Sequence, residues 1–418
     1  MTSVLSILLI VTGTPLFVII SFLAISGFFS GSLDLTVFFI EMYRLADTPA
    51  LSAIPLFAFA GFLLARSNAA DRLVNLSEAL LGWLPGGLAI MAICICALLT
   101  AFTGASGMTI VAMGGLLYPA LRKKQYTERF SLGLLTTSGS LGLLFPPSLP
   151  LILYAIVAQI PVDELFIAGI FPGLILVFAL SMYSYIVGSR IKTHERTPFS
   201  LQIAARAIRE SVWELLLPPV VIAGIYGGYI AVSEAAALSA LYVFVIEVLL
   251  HREISIRSLP KVVHDTMILV GSIMIVLAAA MAYTNYVVDA EIPMRLLDFI
   301  KEHITSRFVF LILLNVFLLA VGCMVDMFAA LVVVVPLVLP IASAYEIHPI
   351  HLGIIFLTNL EIGYSTPPVG LNLFIASARF ERSVVQLYLS SIPFLAILLL
   401  VLLVITYVPA ISLFFVRG

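Results

Sequence analysis

The fold is decided by two proline-centred stretches, Ser138-Gly-Ser-Leu-Gly-Leu-Leu-Phe-Pro-Pro-Ser148 and Glu361-Ile-Gly-Tyr-Ser-Thr-Pro-Pro-Val-Gly-Leu-Asn372. Each lies in an apolar run, and each carries a Pro-Pro pair that removes two backbone amide donors and disfavours helix at the preceding residue. Nearby glycines let the backbone unwind. The sequence therefore predicts two interrupted helices, 130–158 and 350–378, whose freed carbonyl groups need a partner other than lipid.

The composition of the whole chain requires lipid as the solvent. The 418 residues are 62% hydrophobic and 11% charged, whereas soluble domains are about 45–50% apolar and about 25% charged. We predict an all-α polytopic membrane protein. Its first apolar segment has no basic start and no small-residue cleavage site, so we expect a retained helix. The candidate crossings are 5–29, 50–66, 130–158, 164–188, 212–232, 234–250, 265–288, 350–378 and 386–414.

Two longer apolar stretches, 83–120 and 307–344, carry small and polar residues near their middles. These are Thr103-Gly-Ala-Ser-Gly107 and Gly322-Cys-Met-Val-Asp326. The pattern predicts two re-entrant helical hairpins, each of which enters the membrane, turns and leaves on the same side. Two short crossing helices joined by a tight turn are the alternative. The turns are apolar and carry no loop charge, which favours hairpins.

Basic residues assign the sides of the membrane. Lys and Arg cluster in the segments 66–72, 122–129, 190–209, 252–261 and 379–382, which we expect to be cytoplasmic. The acid-rich loops around Asp163, Asp289 and Glu346 should then face outward, so the first hairpin opens inward and the second outward. Segments 34–47, 195–211 and 255–264 mix apolar and charged residues at helical spacing and are predicted to be interfacial amphipathic helices.

The two halves of the chain repeat one plan at offsets of 217 to 221 residues. The paired features are Gly104 with Gly322, Pro119 with Pro336, and Pro146-Pro147 with Pro367-Pro368. Together with the opposite hairpin orientations, this predicts an inverted-topology repeat. The repeats are 1–211 and 212–418, with scaffold and transport parts interleaved in both. Such a repeat encloses a site near the midplane and can expose it to either side in turn.

The helix breaks and the hairpin tips supply the candidate site. Their carbonyl, hydroxyl and carboxylate oxygens suit a hard monovalent cation, Na⁺ before H⁺, and two or more Na⁺ are expected as coupling ions. The alternative is that the breaks only kink helices for packing. The predicted cation ligands are Ser106, Ser138, Gly139, Ser140, Gly142, Gly322, Asp326, Gly363, Ser365 and Thr366. The predicted substrate contacts are Thr103, Gly104, Ser106, Gly107, Pro147, Ser148, Gly322, Thr366, Pro368 and Asn372.

Acidic residues inside apolar stretches need separate explanations. A carboxylate at Asp326 costs about 3 kcal/mol or more on insertion scales, which makes it a functional candidate; it is also a good cap for the second hairpin arm. Glu361 is a candidate ion ligand or proton carrier. Glu234 is predicted to balance a helix dipole. Glu214 and Glu247 lie near span ends and are predicted to snorkel.

Several classes of function are disfavoured by the sequence. It contains no GxxxxGK[ST], no HExxH and no nucleophile elbow, which argues against an ATP-driven pump and against an enzyme. Cys94-Ile-Cys96 is not a zinc spacing, and neither a resident cofactor nor a nucleic-acid partner is indicated. No Arg or Lys lies in the central spans. An anionic substrate would therefore be held by helix N-termini at the tips and by the bound cations.

At these motifs the sequence resembles the large membrane subunit of tripartite ATP-independent periplasmic (TRAP) transporters, the DctM-like family. The second half carries the resemblance through Gly322 and Asp326, Pro336 and Pro340, and residues 359–374. The first half carries it through residues 104–107, Tyr118-Pro119, Gly142, residues 146–148 and Tyr154, and Ser233-Glu-Ala-Ala236 follows. The resemblance covers nearly the whole chain.

The resemblance implies a Na⁺-coupled, elevator-type secondary transporter in the bacterial inner membrane. It also implies a separate, DctQ-like small membrane subunit and a periplasmic binding protein that delivers a small organic anion, a carboxylate by preference. Many members carry an Asp shortly after the first hairpin turn, whereas residues 108–113 contain none here. The first ion site would then depend on neutral oxygens. A stand-alone Na⁺/anion symporter without a binding protein is the alternative function.

Overall fold

The computed structural model describes residues 12–30, 34–44, 48–191 and 200–416, together with residues 5, 8 and 9. Throughout these residues the regular structure is helical and no strand occurs. The predicted all-α polytopic fold is therefore confirmed. Lys192 and Arg196, part of the first predicted span and the start of the amphipathic segment 195–211 lie outside the described residues.

The helices follow the predicted apolar runs closely. In the first half they are α1 (Leu16–Ser30), α2 (Thr36–Arg44), α3 (Ala53–Arg66), α4 (Ala69–Leu81), α5 (Gly87–Thr103), α6 (Ser106–Lys123), α7 (Glu128–Ser138), α8 (Leu149–Ala158), α9 (Val162–Ser189) and α10 (Leu201–Glu210). In the second half they are α11 (Val212–Tyr226), α12 (Val232–Phe244), α13 (Leu259–Asp289), α14 (Ile292–His303), α15 (Arg307–Met324), α16 (Met327–Ala344), α17 (Pro349–Gly363), α18 (Leu371–Phe380), α19 (Val384–Tyr407) and α20 (Ala410–Leu413).

Among the described residues, six helices are long and apolar enough to cross a membrane singly. Two bent pairs raise the number to as many as eight: Ala50–Arg66 with Ala69–Leu81 at 68°, and Glu128–Leu144 with Leu149–Ala158 at 45°. Segments 34–47 and 195–211 contain the helices α2 and α10. The prediction of a separate helix over 255–264 was wrong. Ile256–Ser258 form a short 3₁₀ turn, and from Leu259 the chain runs on as α13, because no Gly or Pro occurs between Pro260 and Gly271.

Both predicted hairpins form. Helices α5 and α6 are joined at Gly104 and Ala105, where Gly104 has a left-handed φ of 61° that a glycine adopts without strain. Helices α15 and α16 are joined at Val325 and Asp326. We call residues 103–108 tip 1 and residues 324–328 tip 2. Both tips line one cavity, a position that favours re-entrant hairpins over full crossings.

Both predicted interruptions also form. After α7 the chain makes a short 3₁₀ turn at Leu141–Leu144, passes the cis Pro146–Pro147 bond and resumes as α8. After α17 it passes the cis Pro367–Pro368 bond and resumes as α18. We call residues 139–148 break 1 and residues 364–370 break 2. Each proline lacks an amide hydrogen and its ring crowds the preceding turn, which disfavours continuous helix at both breaks. A third pair, Pro218-Pro219, is accommodated inside α11.

The two halves are interlocked through the breaks. Helix α6, the second arm of the first hairpin, packs on α18, which follows break 2. Helix α16, the second arm of the second hairpin, packs on α8, which follows break 1. Helices α1, α2, α3 and α16 pack on α13, and α12 packs on α3. The crossed packing brings tips and breaks from different halves to one place.

A buried ion-pair cluster corrects the prediction for Glu214 and Glu247. These side chains do not snorkel, since they are 6% and 1% exposed and both accept hydrogen bonds from Arg72, at 2.7 and 3.0 Å. Helix α11 and the π-helical turn Val245–Leu250, which follows α12, turn these acids inward onto α4. Arg72 also pairs with Glu253, whose other oxygen accepts from Asn68 N at 2.8 Å. Burial acts to raise the pKa of Glu253, but the contacts with Asn68, Arg72 and Glu247 together outweigh it and lower that pKa.

Candidate functional site

A cavity of about 800 Å³ lies between the two hairpin tips. Helices α3 and α13 close one wall, and break 1, break 2 and α18 contribute the rest. The lining residues are Ala65, residues 104–108, Val111, Ala112, Leu143, Leu269, Ser272, residues 326–328, Tyr364, Leu371 and Ile375. Four predicted site residues therefore reach the cavity, namely Gly104, Ser106, Gly107 and Asp326.

Tip 1 is held against the helix that follows break 2. Ser106 Oγ donates to Asn372 Oδ1 at 2.7 Å. Gly107 packs so closely on Ile375 that an added Cβ would lie 2.4 Å from its side chain. Thr103 is buried inside the turn, where its hydroxyl accepts from Ala105 N at 3.4 Å, and it does not line the cavity. Tip 1 thus presents Ser106 and its neighbouring backbone to the cavity.

Tip 2 is organised by the Asp326 carboxylate. Its Oδ2 accepts from Phe328 N at 3.0 Å, so Asp326 caps α16. Its Oδ1 accepts from the Tyr364 hydroxyl at 3.1 Å, and that hydroxyl in turn accepts from Met327 N. The capping role expected for Asp326 is confirmed. Its side chain nevertheless stays exposed at the cavity, where it remains available to a cation.

Tyr364 was not predicted as a site residue. It lies inside the quoted second stretch, but the prediction selected aliphatic hydroxyls, amides and carboxylates as oxygen ligands. Nothing local indicates that its phenol reaches Asp326, which is 38 residues earlier in the chain. The apolar lining residues Phe328, Leu143 and Leu371 were missed for the same reason: their neighbours are set by packing.

The predicted glycine ligands lie where hairpins and breaks touch. A Cβ on Gly363 would lie 2.6 Å from the carbonyl carbon of Gly322, and a Cβ on Gly142 would lie 2.2 Å from Ala97 O. Gly139 is in similarly close contact with α6. Gly142, Gly322 and Gly363 allow backbone-to-backbone packing, whereas Gly139 makes room for the Ile110 side chain. None of the four lines the cavity.

Some polar atoms beside the breaks are buried without a hydrogen-bond partner among the described residues. They are Ser148 Oγ, Ser365 Oγ, Asn372 Nδ2 and both carboxyl oxygens of Glu361. Ser138 Oγ also lacks a nitrogen or oxygen partner and lies beside the thiol of Cys96. An unpaired buried polar group costs about 1–3 kcal/mol. The hydroxyl and carboxyl oxygens among them, unlike the Asn372 nitrogen, are the kind of ligand that a hard cation binds.

The remaining predicted residues are engaged within the breaks. Ser140 Oγ donates to Thr137 O at 3.3 Å and to Glu361 O at 3.4 Å. Thr366 Oγ1 donates to Ile362 O at 2.9 Å. Pro147 and Ser148 are buried and Pro368 is exposed, and none of them lines the cavity. The structure therefore brings the hairpin tips to one site and keeps the Pro-Pro pairs behind it.

Comparison with known proteins gives consistent matches over the chain. Residues 3–411 match the family described as "Tripartite ATP-independent periplasmic transporter, DctM component". The chain is 35% identical to the C4-dicarboxylate TRAP transporter large permease protein DctM of Pseudomonas aeruginosa, with 90% of this chain and 88% of that protein covered. It is 32% identical to the ectoine/5-hydroxyectoine TRAP transporter large permease protein UehC of Ruegeria pomeroyi, with 98% and 96% covered.

A third relative is longer than this chain. The isethionate TRAP transporter permease protein DctMQ of Oleidesulfovibrio alaskensis is 34% identical, and the match covers 98% of this chain but 65% of that protein. Among solved structures, the YdaH transporter of Alcanivorax borkumensis has a similar fold, with a TM-score of 0.59, 13% identity and 88% of each chain covered. At that identity the likeness concerns the fold alone.

Proposed function

The chain belongs to the DctM family of TRAP transporters, and from that premise we propose that it takes up a small organic anion by Na⁺-coupled secondary active transport. The sequence resemblance is thus confirmed. The matched relatives are permeases, which confirms the prediction that the chain is not an enzyme. Like them it is a multi-pass protein of the bacterial inner membrane.

The observation that carries the proposal is the charge of the cavity. Among the described residues that line it, Asp326 is the charged one, and no Lys or Arg is present. An organic anion beside a carboxylate is repelled unless positive charge is added. Na⁺ bound beside Asp326 would supply that charge. Substrate binding would then require Na⁺, which is the thermodynamic basis of symport.

The crossed packing of the halves supports an elevator-type movement. We propose that 1–211 and 212–418 are inverted repeats, since the second arm of each hairpin packs on the helix after the other half's break. The cavity lies between the tips and the side chains of Ala65 on α3 and Leu269 and Ser272 on α13. A moving body of tips and breaks would slide its site along that wall.

The family suggests a substrate class and two partners for this chain. The relatives are named for C4-dicarboxylates, isethionate and ectoines, and we propose a small carboxylate or related anion here. We further propose a separate small membrane subunit and a periplasmic binding protein as partners. A stand-alone Na⁺/anion symporter remains the second candidate. Uptake that requires the added binding protein separates the first function from the second.

The test of Na⁺ coupling uses the Asp326 side chain. Asp326→Asn keeps the helix cap, because Asn caps as well as Asp does, and removes the charge. In detergent, NaCl should raise the melting temperature of the wild type above a choline chloride control, because a ligand of the folded state stabilises it. The increase should shrink in Asp326→Asn and persist in Glu302→Gln, an exposed acid elsewhere.

Transport itself is the second measurement. With the small subunit and binding protein reconstituted in liposomes, Na⁺-driven uptake of labelled C4-dicarboxylate should be lost in Asp326→Ala while the protein still inserts. Normal uptake by that variant would remove Asp326 from the mechanism. A melting temperature that does not distinguish Na⁺ from choline in the wild type would refute the cation sites.

A further inference from the structure

Arg379 is a cation close to the cavity that the proposed function does not use. It lies in the last turn of α18 and is exposed. On that helix Leu371 and Ile375 line the cavity. Arg379 follows Ile375 at the same spacing of four residues, which places it on the same helix face. It therefore extends the cavity-lining face of α18 by one turn.

A notch in helix α6 receives the Arg379 side chain. An added Cβ on Gly114 would lie 3.5 Å from Arg379 Cγ, and an added Cβ on Gly115 would overlap the guanidinium. Gly115 follows the cavity-lining residue Val111 by four positions, so the guanidinium lies one turn beyond the cavity on this helix too. Both helices thus place the charge of Arg379 at the same end of the cavity.

This end of the cavity is the one that we expect to face the cytoplasm. Segments 122–129 and 379–382 are among the basic segments assigned to that side. The opposite wall agrees with this assignment, because its lining residue Ala65 is followed by Arg66 at the end of α3. An anion released into the cell would therefore leave the cavity past Arg379.

Neighbouring arginines have partners, whereas Arg379 has none among the described residues. Arg66 pairs with Asp265. Arg382 Nε donates to Glu128 Oε1 at 2.6 Å. Arg379 forms neither a hydrogen bond nor an ion pair with any residue that the structure describes. A cation in a last helical turn also stabilises the helix dipole, but this guanidinium lies over α6 and donates to no described carbonyl group of α18.

The charge of Arg379 is opposite to that of Asp326 inside the cavity. Without a bound cation, Asp326 repels an organic anion, whereas Arg379 attracts one. A guanidinium presents a planar fork of N–H donors that matches the two oxygens of a carboxylate. An anion that leaves the cavity after its cation would therefore move away from Asp326 and towards Arg379.

The position of Arg379 is too far from tip 1 for one small anion to contact both. Nine residues of α6 separate Ser106 from Gly115, which is about 14 Å at the rise of an α-helix. That distance is longer than a C4-dicarboxylate. The guanidinium is therefore separate from the substrate contacts predicted at the tip.

We propose that Arg379 forms a carboxylate-binding site at the cytoplasmic end of the cavity, which receives the transported anion after it leaves the tips. The inference deepens the proposed uptake function and rests on it for the identity of the anion. Helices α6 and α18 pack on each other, so Arg379 belongs to the same moving body as tip 1 and stays in line with it.

Thiol labelling of the full chain in detergent measures the charge at this end of the cavity. Ala112→Cys places a thiol on the cavity wall one turn before Gly115, in a Cys94→Ala background that removes the exposed native thiol. The rates with an anionic and with a cationic methanethiosulfonate are compared in about 0.01 M salt, where the Debye length is about 30 Å. A unit charge about 8 Å away in water changes each rate about 2.4-fold, so Arg379→Gln should lower the anionic-to-cationic ratio about sixfold.

Matched variants separate the charge of Arg379 from its packing. Arg379→Lys keeps the charge and should keep the ratio. Arg206→Gln removes an exposed cation on α10 and should leave the ratio unchanged. An unchanged ratio in Arg379→Gln would overturn the proposal, and so would an equal fall in Arg379→Lys.

Succinate, as a C4-dicarboxylate, tests anion binding in the absence of Na⁺. In choline salts of matched ionic strength, succinate should slow the labelling of Ala112→Cys, and this protection should be lost when Arg379→Gln is added. Equal protection with and without Arg379→Gln would overturn the proposal. If the Arg379→Gln chain does not fold, the chain with native Arg379 decides, because a lack of protection there overturns the proposal equally.

The choline experiment also distinguishes this site from the proposed Na⁺ coupling. If Na⁺ neither raises the melting temperature nor drives uptake in liposomes, the proposed coupling fails, and protection by succinate in choline still decides the Arg379 site. If uptake is Na⁺-driven but succinate protects only when Na⁺ is present, the coupling stands and the separate site at Arg379 is wrong.

Discussion

Replacing Arg72 by Met should destabilise the fold more than replacing a basic residue whose side chain is exposed. The guanidinium is the shared partner of three acids, and the side chains of Arg72, Glu214 and Glu247 are 14%, 3% and 1% exposed. Breaking a buried pair leaves uncompensated charge and costs about 3–5 kcal/mol. With an unfolding entropy of about 2.1 cal/mol/K per residue over 418 residues, that cost lowers the melting temperature by about 3–6 °C.

The assay is thermal unfolding in detergent followed by tryptophan fluorescence, since Trp213 lies next to Glu214 in the chain. The matched control is Arg206→Met. Arg206 pairs with Glu210 one helical turn away, and these side chains are 82% and 49% exposed. Exposed pairs of that kind contribute about 0.3–0.5 kcal/mol, so the control should shift the melting temperature by less than about 1 °C.

A rescue variant separates charge from packing. Adding Glu214→Gln and Glu247→Gln to Arg72→Met removes the two most buried unpaired charges. Glu253 remains, but its side chain is 17% exposed and still accepts from Asn68 N, so most of the lost stability should return. Equal shifts for Arg72→Met and Arg206→Met would refute the conclusion that ion pairs hold α4 against α11 and the turn Val245–Leu250 after α12. A rescue variant no more stable than Arg72→Met would show that the loss came from packing.

Three further predictions concern the contacts around the site. Gly363→Ala should cost about 1–3 kcal/mol by overpacking. By contrast, Gly271→Ala should stabilise α13 by up to about 1 kcal/mol, because no atom of another described element lies within 4 Å of the added Cβ. Equal melting temperatures would contradict the close contact at Gly363. Ser106→Ala should lower stability by about 1 kcal/mol through loss of its hydrogen bond to Asn372. Adding Asn372→Leu should restore part of the lost stability. An unaltered melting temperature in Ser106→Ala would count against that hydrogen bond. Because the pKa of Glu253 is lowered, its contribution to stability is present above the unfolded value of about 4.3 and is lost as pH falls through the lower folded value. The melting temperature of the wild type should therefore fall more steeply below about pH 4 than that of Glu253→Gln, and parallel curves would refute the sign.

Local chemistry explains why much of the fold could be predicted from the sequence. A run of about 20 apolar residues is long enough to cross a bilayer whatever its neighbours are, so the spans were predicted from length and composition. A Pro-Pro pair lacks amide donors in every environment, and together with the neighbouring glycines it predicted both breaks, whereas Pro218-Pro219 stays within α11. The chain over 255–264 was mispredicted because its charged residues suggested a separate surface helix, whereas residues 259–264 are the start of α13.

For the site too, some features could be predicted from the local sequence and others could not. The sequence by itself determined the membrane solvent, the hairpins, the breaks and the capping role of Asp326, because each depends on residues within a few positions of one another. Only the tertiary structure decided that Ser106 bonds Asn372 across 266 residues, that Tyr364 bonds Asp326, and that Arg72 buries two acids. The crossed packing of the two halves brings these partners together, and a local sequence pattern does not indicate which helix lies opposite a given residue.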